Sequence, residues 1–187
     1  KVDVVAKVTS EAEQIEAADV IILPGVGAFD RAMNALSAKN QREVILRAAN
    51  AGRHIFGICL GMQLLFEHSE ENGSHEGLGL LKGSVSRLPD IGLRIPAIGW
   101  SRLEKNQEMS WTGTPFSDIT NEDSVYFVHS YFAHPSDPNN ALSFTPWGNR
   151  QYCSAVFRDN IFGCQFHPEK SGETGLNIFR NYFGKVL

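Results

Sequence analysis

A chain of 187 residues, 42% hydrophobic and 20% charged, has the size and composition of one globular domain with a core of its own. Its 17 basic and 21 acidic side chains leave a net charge of −4 with no basic block, which excludes a charge-driven attraction to nucleic acid or an anionic membrane. Cys59, Cys153 and Cys164 lack the paired spacing of a disulfide framework or a zinc site and fit a reducing, cytoplasmic setting, and no apolar run is long enough to span a bilayer.

Near the start, Ser10 with Glu13 three residues on predicts a capped helix through about Ala18, in an opening order of strand, helix, strand. The nearly unbroken β-branched run 19–23, ended by Pro24-Gly25, predicts a strand buried on both faces of a parallel sheet. Asp30 predicts the cap of a helix through Leu36, and Asn40 with Glu43 the cap of another through about Ala51; 54–58 reads as the next buried strand. Residues 62–67 predict a helix, and 69–79, polar and rich in glycine and serine, a surface loop. Strands then dominate, at 80–88, 95–103, 125–132, 152–157 and 161–166, with a turn at 135–140 and a closing helix at 174–183. The expected architecture is a single α/β domain over 1–187, an open, mostly parallel sheet flanked by helices with an antiparallel extension.

Gly57-Ile58-Cys59-Leu60-Gly61 places a cysteine between two glycines where a buried strand passes into a helix. Alone, a cysteine in apolar surroundings is more often inert core. At a strand-to-helix junction the glycines permit a tight turn, and such an elbow predicts a thiol left exposed near a helix N-terminus that favours the thiolate, with the Leu60 N–H turned toward an oxyanion. Far downstream, His167-Pro168-Glu169 offers a base and a carboxylate two positions apart, on one side of an extended segment, which completes a nucleophile, base and orienter set. Pro24-Gly25-Val26-Gly27 is a glycine-rich turn at the carboxyl end of a strand, where open α/β sheets bind ligands, and its backbone around Val26 and Gly27 is a candidate second oxyanion donor. It lacks the dinucleotide fingerprint, no phosphate loop occurs elsewhere, and His54, His68, His75, His129 and His134 show no metal-ligand spacing, so neither cofactor nor metal is implied.

Gly57-Ile58-Cys59-Leu60-Gly61-Met62-Gln63, the 24–27 turn, Tyr126-Phe127-Val128-His129-Ser130-Tyr131 and Gln165-Phe166-His167-Pro168-Glu169-Lys170-Ser171 together resemble the motifs of class I glutamine amidotransferases. Within that class the pattern is most similar to the glutaminase subunits of imidazole glycerol phosphate synthase, over essentially the whole chain. The resemblance implies hydrolysis of L-glutamine through a glutamyl thioester on Cys59, with His167 as base and acid beside Glu169. It also implies transfer of the ammonia to a separate synthase (cyclase) subunit in a heterodimer of histidine biosynthesis. By motif position, Gln63 and the backbone of Ser130 and Tyr131 would hold the glutamine, while Gly25, Gly27 and Leu60 would line the oxyanion region.

Two departures from the family pattern stand out. The family usually opens with another strand and helix, about twenty residues, before the position of Lys1, so a sheet short of one element is expected, and a Pro-His-x-Gly-Trp-Asn stretch that in the family faces the synthase reads here Pro96-Ala97-Ile98-Gly99-Trp100-Ser101. The second departure keeps open a related subunit that supplies ammonia for amidating a surface sugar. A non-catalytic binding or scaffold relative is the third reading, opposed by the intact Cys59, His167 and Glu169.

Overall fold

The computed structural model describes residues 2–187. Residues 2–11 carry no regular element, so the expected opening strand is absent among the described residues. There follow α1 (Ala12–Glu16), β1 (Val20–Leu23), α2 (Phe29–Ala38), α3 (Gln41–Asn50), β2 (His54–Ile58) and α4 (Leu60–Leu64). Then come β3 (Phe66–Ser69), β4 (His75–Glu76), β5 (Leu81–Arg87), β6 (Ala97–Arg102), β7 (Glu104–Lys105), β8 (Ser124–His129) and β9 (Tyr131–Pro135). The chain closes with β10 (Ala141–Trp147), β11 (Arg150–Arg158), β12 (Ile161–Cys164) and α5 (Gly172–Val186), with 3-10 turns at Pro138–Asn140 and Pro168–Lys170.

The main sheet has the order β1-β2-β12-β11-β10-β7. Its β1, β2 and β12 run parallel, and β11, β10 and β7 extend it antiparallel, which gives the α/β architecture expected from the sequence. A second sheet, β4-β3-β5-β9, and the β6-β8 pair stand beside it. Alternate residues of the central strands feed two cores. Ile55, Val156 and Ile161 join the helices α1–α4 on one face, while Phe56, Ala155 and Phe162 join α5 and the β8 strand on the other. In α5 the helical spacing of Ile178, Tyr182 and Phe183 turns one apolar stripe onto that second core.

β1 departs from the two-faced burial expected of it: Ile21 and Leu23 are buried and Val20 and Ile22 only half-buried, because it is the edge strand of the described sheet. The expected side-chain caps also differ. α1 starts after Glu11 rather than Ser10, and Asn40 precedes α3 in a left-handed turn with φ 54° and no side-chain cap. Asp30 lies inside the first turn of α2, whose leading Phe29 N–H donates instead to Glu71 Oε2 at 2.8 Å. The helix expected at 62–67 stops at Leu64, since Phe66 pairs with Leu81 of β5, and β3 and β4 form a hairpin within the expected loop 69–79. The run 125–132 breaks at Ser130 into β8 and β9, which belong to different sheets.

Candidate active site

Two strand ends bring the chemistry together. β2 and β12 pair with Ile58 opposite Cys164, so Cys59 and the segment from Gln165 to Glu169 emerge side by side at the carboxyl edge of the parallel strands. Cys59 takes φ 53° and ψ −108° at the head of α4, and its N–H donates to the Cys164 carbonyl at 2.7 Å. Glycine is required on both sides of this elbow. A Cβ at Gly57 would stand 2.6 Å from the Gly61 carbonyl oxygen, and one at Gly61 would stand 1.7 Å from that of Leu23.

The structure corrects the exposed, thiolate-favouring nucleophile expected from the sequence. Cys59 is only 6% exposed, and burial pushes its thiol up to about 11. The Leu60 N–H opposes the rise, the Glu169 charge adds to it, and a hydrogen bond from Gln165 opposes it again. A helix of five residues supplies too little field to offset that desolvation. Cys153 and Cys164 are likewise free and buried, and their thiols too are pushed up by burial.

His167 does not share an extended segment with Glu169. It leads the 3-10 turn Pro168–Lys170, and that turn carries the carboxylate back so that Glu169 Oε1 lies 2.7 Å from Nδ1. The turn is tightly held. His167 N–H donates to the Tyr126 carbonyl at 2.9 Å, Ser171 Oγ donates to the His167 carbonyl at 2.6 Å, and a Cβ at Gly175 of α5 would lie 1.9 Å from the Pro168 carbonyl oxygen. The Nε2 of His167 is buried with no hydrogen-bond partner among the described residues.

A cleft of about 300 Å³ opens over the thiol. It is lined by Val26 and Gly27 of the glycine-rich turn, by Cys59, Leu60 and Gln63 of the elbow and α4, and by Ser130 and Tyr131 between β8 and β9. Gly25 lies beneath Leu60, where a Cβ would approach the Leu60 Cβ to 3.3 Å. Glu169 lies near enough for its charge to act on Cys59, and through its contact with His167 ties the imidazole to the same region. Among the described residues no group of three or more His, Cys, Asp or Glu side chains stands ready for a metal ion, and no helix is long and apolar enough to cross a membrane.

The family model for glutamine amidotransferase class-I matches residues 1–186. The chain is a class I glutamine amidotransferase. Imidazole glycerol phosphate synthase subunit HisH 1 of Legionella pneumophila (strain Lens) is 42% identical to it, over 96% of this chain and 87% of the relative. The HisH subunit of Caldanaerobacter subterraneus subsp. tengcongensis is 45% identical over 97% and 86%. The chain belongs with these relatives to the HisH family. Two solved structures share the fold: a glutamine amidotransferase, with TM-score 0.68 and 18% identity over 97% of this chain and 85% of that one, and PurLQS from Thermotoga maritima, with TM-score 0.65 and 23% identity over 90% and 80%.

The amidotransferase cleft also holds residues that sequence reading passed over. Glu71, from the β3–β4 hairpin, lines it while capping α2. Gln165 reaches the thiol, its Nε2 3.6 Å from Sγ. The signal for Gln165 was its position two before His167, on the same side of an extended strand end. His129, taken for an ordinary polar residue, lines the cleft and is buried, and that burial pulls it down to about 4.

Proposed function

We propose that this chain hydrolyses L-glutamine to glutamate and ammonia and passes the ammonia to a synthase (cyclase) subunit that makes imidazole glycerol phosphate, as the glutaminase half of a cytoplasmic heterodimer of histidine biosynthesis. One observation carries the catalytic assignment. Glu169 holds Nδ1 of His167, leaving Nε2, buried and without a partner among the described residues, as the acceptor for the Cys59 proton in this reading.

In this reading the Cys59 sulfur attacks the side-chain amide carbon while His167 takes the thiol proton. The C–N bond then breaks as His167 returns that proton to the departing ammonia. Water, deprotonated by His167, cleaves the thioester and releases glutamate. Leu60 N–H, already turned to the sulfur, and a backbone N–H of the Val26–Gly27 turn serve the oxyanion. The backbone of Ser130 and Tyr131 takes the amino-acid end of the substrate. Glu71 is the carboxylate on the cleft wall suited to its ammonium.

β6 accounts for the departures at positions 97 and 101. Ala97 is buried and Ser101 half-buried on the inward face of β6, whereas Ile98 and Trp100 point outward, 57% and 58% exposed. The family's synthase-facing stretch therefore still presents two large apolar side chains, and Pro96 just before them lines the cleft. The test is ammonia release from glutamine by the purified chain, alone and with a synthase subunit carrying its acceptor. A rate that rises in the complex and vanishes in Cys59→Ala supports the reading; no glutamine-dependent ammonia in either setting overturns it.

A further inference from the structure

Five hydrogen bonds join in one line beneath the cleft. The hydroxyl of Tyr152 lies 3.2 Å from His129 Nε2, and His129 Nδ1 lies 2.9 Å from the Tyr131 carbonyl oxygen. Gln63 Nε2 reaches that same oxygen at 2.8 Å and Gln165 Oε1 at 3.0 Å. Gln165 Nε2 then meets Cys59 Sγ at 3.6 Å. A carbonyl oxygen only accepts, so both of its neighbours must donate. That fixes the proton of His129 on Nδ1, which makes Nε2 the acceptor for the Tyr152 hydroxyl. It equally obliges Gln63 to turn its NH₂ inward, where the second N–H is spent on Gln165 Oε1. The amide of Gln165 is thereby locked with its oxygen away from the thiol and its N–H toward it.

We propose that Gln63 and Gln165 are positioning residues: Gln165 donates to the Cys59 sulfur as it becomes a thiolate, and Gln63 acts through Gln165 by forbidding its amide to flip. The inference rests on Cys59 being the nucleophile and assigns Gln63 a duty besides any contact with glutamine. The need for such a donor is visible in the surroundings. Burial and the Glu169 charge oppose ionisation of the thiol, and Gln165 with the Leu60 N–H supplies the hydrogen bonds that favour the anion. Gln63, Gln165 and His129 are all buried, so water does not substitute for a lost partner.

The experiment measures alkylation of Cys59 by iodoacetamide in the full chain from pH 7 to 11, read on the peptide that carries Cys59. It needs neither glutamine nor partner, so its outcome is separate from that of the glutaminase assay. Gln165→Met, which keeps the length and removes the donor, should slow alkylation roughly tenfold across pH 8 to 10, the rate equivalent of a midpoint raised by about one pH unit. Gln63→Met should slow it the same way by a smaller amount, about threefold, and should add nothing once Gln165→Met is present. An alkylation rate unchanged in Gln165→Met overturns the proposal. So does a Gln63→Met effect of equal size in both backgrounds, or a Gln63→Met enzyme whose KM for glutamine rises while its alkylation profile stays at that of the parent. If Gln165→Met does not fold, the single Gln63→Met profile decides alone, an unchanged rate counting against it.

Discussion

The catalytic segments at Cys59 and 165–167 and the turn at 24–28 are built on opposite plans. Cys59, Gln165 and His167 are each less than 10% exposed and are tied through their backbone N–H groups to Cys164, Ser154 and Tyr126, in segments whose glycines at 57, 61 and 175 admit no side chain. The 24–28 turn has Val26 80% exposed, and Gly27, with φ 115°, has nothing within 4 Å of where a Cβ would be. The catalytic segments are determined by packing and the turn by little beyond its own backbone. Groups that move protons must keep fixed distances, whereas a donor needed only when an oxyanion forms can sit where a peptide is able to turn at modest cost.

The contrast is sharpest at the nucleophile. Cys59→Ala removes one sulfur and should lower glutamine hydrolysis on the order of 10⁴-fold or more while unfolding in urea within about 1 kcal/mol of the parent. His167→Asn should cost nearly as much, because the two act as a unit, and Glu169→Gln less, because it orients. A glutamine-like alkylating agent should label Cys59 and spare Cys153 and Cys164; even labelling of the three thiols would argue that the packed segments are looser than described.

Substituting one glycine in each region should give opposite results. Gly61→Ala drives a methyl into the Leu23 backbone and should destabilise the fold by more than about 4 kcal/mol, seen as a collapse of the denaturation midpoint. Gly27→Val meets no neighbour, so alkylation of Cys59 should survive. It penalises the positive φ, and the rise in glutaminase rate on docking a loaded synthase should shrink by roughly a hundred- to a thousand-fold. Equal glutaminase rates in the free chain and the complex would remove the turn from regulation altogether.

A smaller effect is expected from pH. His129 is held near 4 in the fold and returns to about 6.5 when the chain unfolds, so the unfolded chain binds the extra proton first. Stability from this group is therefore intact above pH 6.5 and is lost as pH falls toward 4, by about 3 kcal/mol in all. His129→Gln, which cannot titrate, should flatten that part of the curve. Denaturant unfolding at pH 6.5 and 4.5 makes the comparison.

Much of this was legible in the sequence because it is local. The elbow shows in two glycines around Cys59, β2 occupies the predicted 54–58, and β5, β11, β12 and α5 lie where apolar patterning puts them. What was not legible depends on partners distant in the chain. The apolar run through Ser130 carries no sign that its halves join different sheets, yet the residues at that break line the cleft. β10 was not among the expected strands, and Pro146 stands within it. Its ring is tolerated because β7 pairs only with Ser143 and Phe144, which leaves the neighbourhood of Pro146 without a ladder on that side. Glu71, His129 and Gln165 gain their places from tertiary pairing, and no spacing rule announces a carboxylate that caps a helix 42 residues away.

The contact between Gly61 and Leu23 also says how this family can vary. Position 61 has no next-larger residue to try: the smallest addition already overlaps a backbone atom, and relief would require β1 to move as a whole. A lineage drifting through sequence space therefore meets a sheer edge at 57 and 61, with open ground at Val26, where an exposed side chain can be exchanged without disturbing the core. Novelty in partner coupling is expected to accumulate on the turn, while the elbow persists long after the rest of the sequence has become hard to recognise.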